Sequence, residues 1–392
     1  MKNKLYYFNA LFDLELGGHS CVSLQRAASE MGVLFAPAGT SSDKIILDTG
    51  IDDSYWEYLH QQGIATATPF SAREGSEYEG VAWGWNDQSR TRLEKYGAIC
   101  EAPSAECVKL VNSRKYCQQI GVKCGTGIPQ SIYCTNKEQI VTAFKKLTDY
   151  FPLVIKPDHG NSGFGFYHCS SGDDLNNIDL EQLCKNQGVI VEPWCDKVYD
   201  FSSVCTINRD RSISPFRHLR AFTNNRGTFH GIYLAPHDPV IDYWRDILEE
   251  NVLAVAAEVA NSGYFGTLGF DSIVYRNNER MKLAAVIEIN ARHVMSDLAV
   301  IIRDRCAPQQ HCLFRTLSKK RLRLPPSYQQ LQQENDCFTF NDNKGCILIT
   351  PLRVCHETQW VQPYRNTLFL AADSEEELFS LDQKLRAKTP VC

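Results

Sequence analysis

Residues 281–292 read MKLAAVIEINAR, an apolar run that ends in Glu288, Asn290 and Arg292. Side chains two apart on a strand share a face, so Glu288 and Asn290 point the same way, and Arg292 joins them where the strand continues. Upstream, residues 268–275 read LGFDSIVY and form a second strand, with the polar stretch Arg276 to Arg280 as the hairpin turn between the two. Folding about that turn sets Asp271 across from Glu288 or diagonal to it. Two carboxylates and an amide then converge on one spot. Like charges so placed repel unless a cation lies between them, and an all-oxygen set suits Mg²⁺ or Mn²⁺. Magnesium takes one or two carboxylates from a protein and fills its octahedron with water and phosphate oxygens, so the missing ligands imply a nucleotide. A solvated sheet face is the plainer alternative. The apolar flank Ala284 to Ile287 argues against it, because polar residues that end a buried strand face a cleft more readily than bulk water.

A second signal precedes this hairpin. Phe151 to Pro157 is an apolar run of strand length that delivers Lys156 to a loop with Gly160, Ser162, Gly163 and Gly165. Glycines let backbone N–H groups approach phosphate oxygens, and Lys supplies a point charge. Neither a Walker A loop nor a Gly-x-Gly-x-x-Gly fingerprint is present. Further on, Gly188 to Pro193 reads as a strand, Trp194 to Asp200 as a connector and Phe201 to Ile207 as the next strand. The crossover Glu192-Pro193-Trp194-Cys195 can pair a free backbone edge with the rim of an adenine, and Asp200 can hold ribose hydroxyls.

The rest of the chain bounds these readings. With 392 residues, 43% hydrophobic and 22% charged, it is a soluble globular protein of two or three domains. A net charge of −5 gives no footprint for nucleic acid or an anionic membrane, and no apolar run approaches the roughly 20 residues of a membrane span. Sixteen cysteines invite a zinc or disulfide reading, but the closest pair, Cys306 and Cys312, has five residues between, so they read as reduced thiols of a cytoplasmic protein. Residues 1 to 110 suggest an open α/β unit. A helical pair follows and ends near Gly121; Thr135-Asn136-Lys137-Glu138 has capping-box spacing, and Tyr243 to Ser262 has the clearest helical periodicity. The cluster Lys319, Lys320, Arg321, Arg323 reads as a solvated linker into a last unit of strands and one helix.

Taken in order, these pieces resemble the ATP-grasp superfamily over roughly Asn112 to Arg292. That resemblance implies an N-terminal open α/β domain (1–110), a two-lobed nucleotide domain (111–305, lobes 111–190 and 191–305) and a small C-terminal α+β unit (306–392). It implies ATP with Mg²⁺ or Mn²⁺ on Asp271, Glu288 and Asn290. Nucleotide contacts fall on Arg114 or Lys115, Lys156, Gly160, Ser162, Gly163, Gly165, Glu192, Pro193, Trp194, Cys195 and Asp200. The family has Lys at the first basic position; here Asn112-Ser113-Arg114-Lys115 leaves two candidates.

The resemblance also implies a reaction, in which a small-molecule carboxylate and an amine are joined through an acylphosphate with release of ADP. Arg292, and less directly Arg220 in the string Arg217-His218-Leu219-Arg220, are the candidates to stabilise the transferred phosphoryl group. Carboxylation or phosphotransfer to another acceptor, and nucleotide binding without catalysis, are the alternatives. Neither nucleic acid nor membrane is implied as a partner, and a homo-oligomer is left open.

Overall fold

The computed structural model describes residues 2–18, 22–71, 77–160, 163–185, 187–322, 324–334 and 338–387. Strands Lys4–Tyr7, Lys44–Ile46, Tyr78–Ala82, Thr68–Pro69 and Ala98–Ile99 form a parallel sheet with Lys4–Tyr7 at its centre. The chain runs first to one side of that central strand and then to the other, which opens a crevice at the carboxyl ends of Lys4–Tyr7 and Tyr78–Ala82. Trp83 follows the second of these strands and packs among Phe8 and Phe35, as expected for aromatics that fasten a loop to a sheet.

Two helices follow, Ala105–Val111 and Arg114–Cys124, capped by the hydroxyls of Ser104 and Ser113. The second passes Gly121 and stops at Gly125, which takes a left-handed φ of 70°. Gly121 instead lets the helix approach Gly127, since a Cβ there would lie 3.4 Å from the Gly127 backbone. A four-stranded antiparallel sheet comes next, in the order Ile132–Cys134, Val189–Pro193, Leu153–Pro157, Tyr167–Cys169. Helix Lys137–Lys146 covers it, capped by Asn136, with Thr135 bonded to the Gln139 side chain rather than to Glu138.

The largest sheet has nine strands, ordered Arg280–Asn290, Gly266–Asn277, Asp196–Ile207, Arg217–Thr223, Phe229–Leu234, His311–Ser318, Arg365–Ala372, Lys344–Leu348, Phe340–Asn341. Its third strand begins at Asp196, so the connector expected over Trp194 to Asp200 shrinks to two residues; pairing with the Gly266–Asn277 strand recruits the rest. The hairpin turn is likewise tighter than expected, only Asn278-Glu279, with Asn278 at φ 57°. The segment 306–392 adds its principal strands to this same sheet.

Helix Pro239–Asn261 packs on one face, starting four residues before the periodic segment because Asp238 caps it and Pro239 supplies its first turn. Helix Met295–Cys306 and the N-terminal unit cover the other face. Lys319, Lys320 and Arg321 are exposed, as a linker requires, whereas Arg323 lies outside the described residues. No helix among the described residues is long and apolar enough to cross a membrane, and twelve of the described cysteines, Cys346 aside, are free thiols.

Candidate functional site

The Gly266–Asn277 and Arg280–Asn290 strands pair with Asp271 directly opposite Glu288 and Gly269 opposite Asn290. Direct partners share a face. Asn290 donates from Nδ2 to Asp271 Oδ2 at 3.2 Å, so two carboxylates and an amide meet as the register requires. The pairing is interrupted by a bulge just beyond Asp271. Burial first, and then the Glu288 charge, push the Asp271 carboxyl up to about 7. Among the described residues no cationic side chain forms an ion pair with Asp271. Nor do any three His, Cys, Asp or Glu side chains converge as a metal cluster among the described residues.

Three cations border it. Arg114, 5% exposed, opens its helix with Nη2 bonded to Glu288 Oε1 at 2.6 Å and Nη1 to the Pro157 carbonyl at 2.6 Å. Lys115 is exposed and lies 5.4 Å over the Tyr133 ring, away from Glu288. Of the two basic residues, Arg114 therefore faces the cleft. Lys156 comes from the fully buried Leu153–Pro157 strand and pairs with Glu192 Oε1 at 2.5 Å. A cavity of about 260 Å³ is bounded by Arg114, Cys117, Lys156, Glu192 and Ile287.

The third cation reaches the site by an unexpected path. The strand ends at Asn290, and the Arg292 N–H closes back on the Asn290 carbonyl at 2.9 Å, so Arg292 does not extend the strand face. Its guanidinium instead turns to the N-terminal unit, donating from Nε to Asp13 Oδ1 at 2.9 Å and lying 6.0 Å from the Trp83 ring. It stays close enough for Asp271 and Glu288 to act on its charge.

Arg220 is not brought to this group. It pairs across the sheet with Phe201, whereas Asp271 pairs with Ser202, so Arg220 sits on the opposite face. There it bonds Asp238 at 2.6 Å and Glu375 at 2.8 Å, tying the starts of two helices together. That geometry removes it from the candidates to meet a phosphoryl group.

At the crossover, the Trp194 N–H is taken by the Pro152 carbonyl at 2.7 Å, which turns the Pro193 carbonyl to the opposite side. Cys195 is partly buried there, its thiol pushed up to about 11 by burial and then by Glu192. Asp200 lies on the Asp271 face, held by Lys197 at 2.7 Å and the Thr223 hydroxyl at 2.8 Å. Gly160 is buried against Arg114 and Phe164, Gly163 and Gly165 take φ near +77°, and a Cβ on Gly163 would meet the Arg226 carbonyl at 2.7 Å. Ser162 lies outside the described residues.

No family model matches the chain. Among curated proteins it is 26% identical over 204 residues to the [butirosin acyl-carrier protein]–L-glutamate ligase of Niallia circulans. That match covers 49% of this chain and 45% of the ligase, so it spans under half of that relative's length. Among solved structures, phosphoribosylamine–glycine ligase from Thermotoga maritima superposes with a TM-score of 0.56 at 15% identity, covering 98% of this chain and 96% of that one. The biotin carboxylase domain of the Hydrogenobacter thermophilus 2-oxoglutarate carboxylase, solved with MgADP, ADP and bicarbonate, gives 0.58 at 12% identity over 98% and 90%.

The chain has the ATP-grasp fold.

Within this fold two residues not among the expected contacts brace the site. Asp158 bonds the Lys115 backbone N–H at 2.8 Å and so caps the helix that presents Arg114. Asn112 accepts from the Ala291 N–H at 2.9 Å and pins the end of the Glu288–Asn290 segment. A polar residue just before a helix cap is the only sequence signal for Asn112. Asp158 shows none beyond its place after Lys156-Pro157.

Proposed function

We propose that this protein is an ATP-dependent ligase that joins a carboxylate to an amine and releases ADP and phosphate. The observation that carries the reading is Asp271 set directly across from Glu288, with cations arranged around the pair but none on Asp271 itself among the described residues. A group so desolvated and so close to a second carboxylate favours a divalent cation. The residues present fit Mg²⁺ or Mn²⁺: Asp271, Glu288 and Asn290 would hold it, and it would offset charge on the phosphate oxygens.

The nucleotide domain, 111–305, would take ATP in the cleft between lobes 111–190 and 191–305. Arg114 and Lys156 would meet phosphate oxygens, with Gly160, Ser162, Gly163 and Gly165 lending backbone N–H groups. The backbone of Glu192 to Cys195 would face the base, and Asp200 the ribose. A carboxylate oxygen of the acid attacks the γ-phosphorus, the bond to the β-γ bridging oxygen breaks, and ADP leaves. The amine then attacks the acyl carbon; the C–N bond forms, phosphate departs with the C–O bond electrons, and the amine proton passes to phosphate or water. Arg292, at the junction with the N-terminal unit, would stabilise the transferred group and then the tetrahedral oxyanion.

Both substrates are small molecules on this reading, and a cytoplasmic location fits the twelve free thiols. The curated relative's name couples an amino acid to a carrier protein, so the screen that tests the proposal includes acids and amines presented on carriers. Phosphate release is measured with ATP, Mg²⁺ and pools of amino acids, short peptides and polyamines, and products are weighed by mass spectrometry. An amide product with one ADP per bond supports the ligase; ADP formed without any acid overturns it.

A further inference from the structure

The Asp13–Arg292 pair joins residues 279 apart in the chain and connects two sheets. Asp13 sits in the short Phe12–Leu16 helix at the carboxyl ends of the Lys4–Tyr7 and Tyr78–Ala82 strands, in the crevice where the order of the parallel sheet reverses. Its position is fixed from several sides. Asn9 and Gly84 exchange hydrogen bonds of 2.9 and 3.1 Å, and the Phe12 ring presses on Gly84 so closely that a Cβ there would lie 2.5 Å away. The His293 N–H bonds the Trp83 carbonyl at 2.9 Å, fastening the residue next to Arg292 to the same crevice.

Charge around the cleft is distributed unevenly. Arg114 is bonded to Glu288, and Arg292 to Asp13, which among the described residues leaves Asp271 with an amide partner only. Arg292 lies close enough for Asp271 and Glu288 to act on it, yet its Nε is turned to Asp13 and one Nη to the His293 carbonyl. Were the Asp13 carboxylate lost, the remaining acids that act on this largely buried guanidinium would be the two on the hairpin. A guanidinium fork matches carboxylate oxygens well and would occupy the positions a divalent cation needs.

We propose that Asp13 is a positioning residue: by holding Arg292 through Nε it keeps the guanidinium off Asp271 and Glu288, and so keeps that pair open to a divalent cation. The proposal rests on the metal reading given above and extends it to the N-terminal unit. The two domains are thereby coupled through one ion pair, and the crevice of the first sheet is linked to the metal affinity of the second.

The test measures Mn²⁺ binding in the presence of ADP, by the electron paramagnetic resonance of free Mn²⁺, on the full chain. Asp13→Asn should weaken Mn²⁺ binding about tenfold or more, in the range found for residues that orient metal ligands, while Asp13→Glu retains most of the affinity. Adding Arg292→Gln to Asp13→Asn should restore the affinity of Arg292→Gln alone, because Asp13 acts only through Arg292. Asp13→Asn indistinguishable from the wild type, or a double variant as weak as Asp13→Asn, would overturn the proposal. Should Asp13→Asn fail to fold by circular dichroism, the comparison of Arg292→Gln with the double variant decides: equal affinities support the proposal, and an affinity about tenfold lower in the double variant overturns it by showing direct action on the metal. A wild type that binds no Mn²⁺ would instead overturn the metal reading itself, and this extension with it.

Discussion

Asp271 and Glu288 face each other across one antiparallel strand pair, and only Glu288 has a guanidinium, that of Arg114, bonded to it at 2.6 Å. The two carboxylates are therefore not equivalent. Glu288→Gln keeps an oxygen for Arg114 and should leave the melting temperature within a few degrees of the wild type. It removes a charge from the metal pair, and steady-state turnover should fall below detection. Folded protein with substantial turnover would exclude Glu288 from the role proposed.

Asp271 makes a prediction of opposite sign for stability. Burial, and then Glu288, raise its carboxyl from the usual 3.8 to about 7. The folded metal-free protein then holds a proton there that the unfolded chain releases near pH 4. Stability from this group is full below pH 4 and is lost as pH rises toward 7. Asp271→Asn should remove that loss, so without metal the variant should match or exceed the wild type in urea unfolding at pH 7.5. A variant less stable at pH 7.5 than at pH 5, relative to wild type, would contradict it.

Lys156 and Glu192 form a buried pair at 2.5 Å, side chains 11% and 8% exposed. Removing one partner leaves the other charged and unpaired, so Lys156→Ala should cost about 3–5 kcal/mol of stability as well as ATP affinity. Adding Glu192→Gln should recover most of the stability. ATP binding by calorimetry should stay weak in both variants, well beyond the ~0–1 kcal/mol expected for an exposed charge. Recovery of ATP affinity together with stability would show that Lys156 acts only as a structural partner.

His218 offers a test away from the cleft. It is buried, its Nδ1 bonds the Ser203 hydroxyl at 2.8 Å, and its Nε2 has no hydrogen-bond partner among the described residues, with the half-exposed Glu249 carboxylate 3.8 Å away. Burial, and then the Arg245 charge, depress it from 6.5 to about 4. The unfolded chain gains a proton before the native one does, so the contribution is full above pH 6.5 and is lost as pH falls toward 4. That shift corresponds to at most on the order of 3 kcal/mol. Denaturant midpoints of wild type should drop between pH 7 and pH 4.5, and His218→Gln should drop less; parallel curves would rule the linkage out.

The hairpin of 268–290 was legible because alternation and an apolar flank fix both the face and the register of Asp271 against Glu288. Lys156 was legible for a similar reason, as the one charge near the end of a buried strand. What local pattern cannot supply is contact between distant segments. The Asp158 cap on the Lys115 N–H spans 43 residues, the Asn112 brace 179 and the Asp13–Arg292 pair 279. Arg220 misled because a basic string on a strand does not tell which face meets the cleft; cross-strand pairing with Phe201 decides it. The closing segment looked separate since edge pairing leaves no periodic trace, yet residues 311–318 join the large sheet along the 229–234 strand. The Asp238-Pro239 start of the long helix was present in the sequence as a cap followed by an N1 proline.

If ATP is spent on activating a carboxyl group, the activated acid can be trapped before the amine reaches it. The wild type is incubated with ATP, Mg²⁺, hydroxylamine and the acids that stimulate phosphate release. An acyl hydroxamate formed in step with ADP, dependent on the acid and lost in Glu288→Gln, is the result predicted. Arg292→Lys should keep ATP binding but lose most of the hydroxamate rate, because a point charge cannot reproduce the bidentate fork. Formation of AMP and pyrophosphate, or ADP production that does not depend on any acid, would contradict the account.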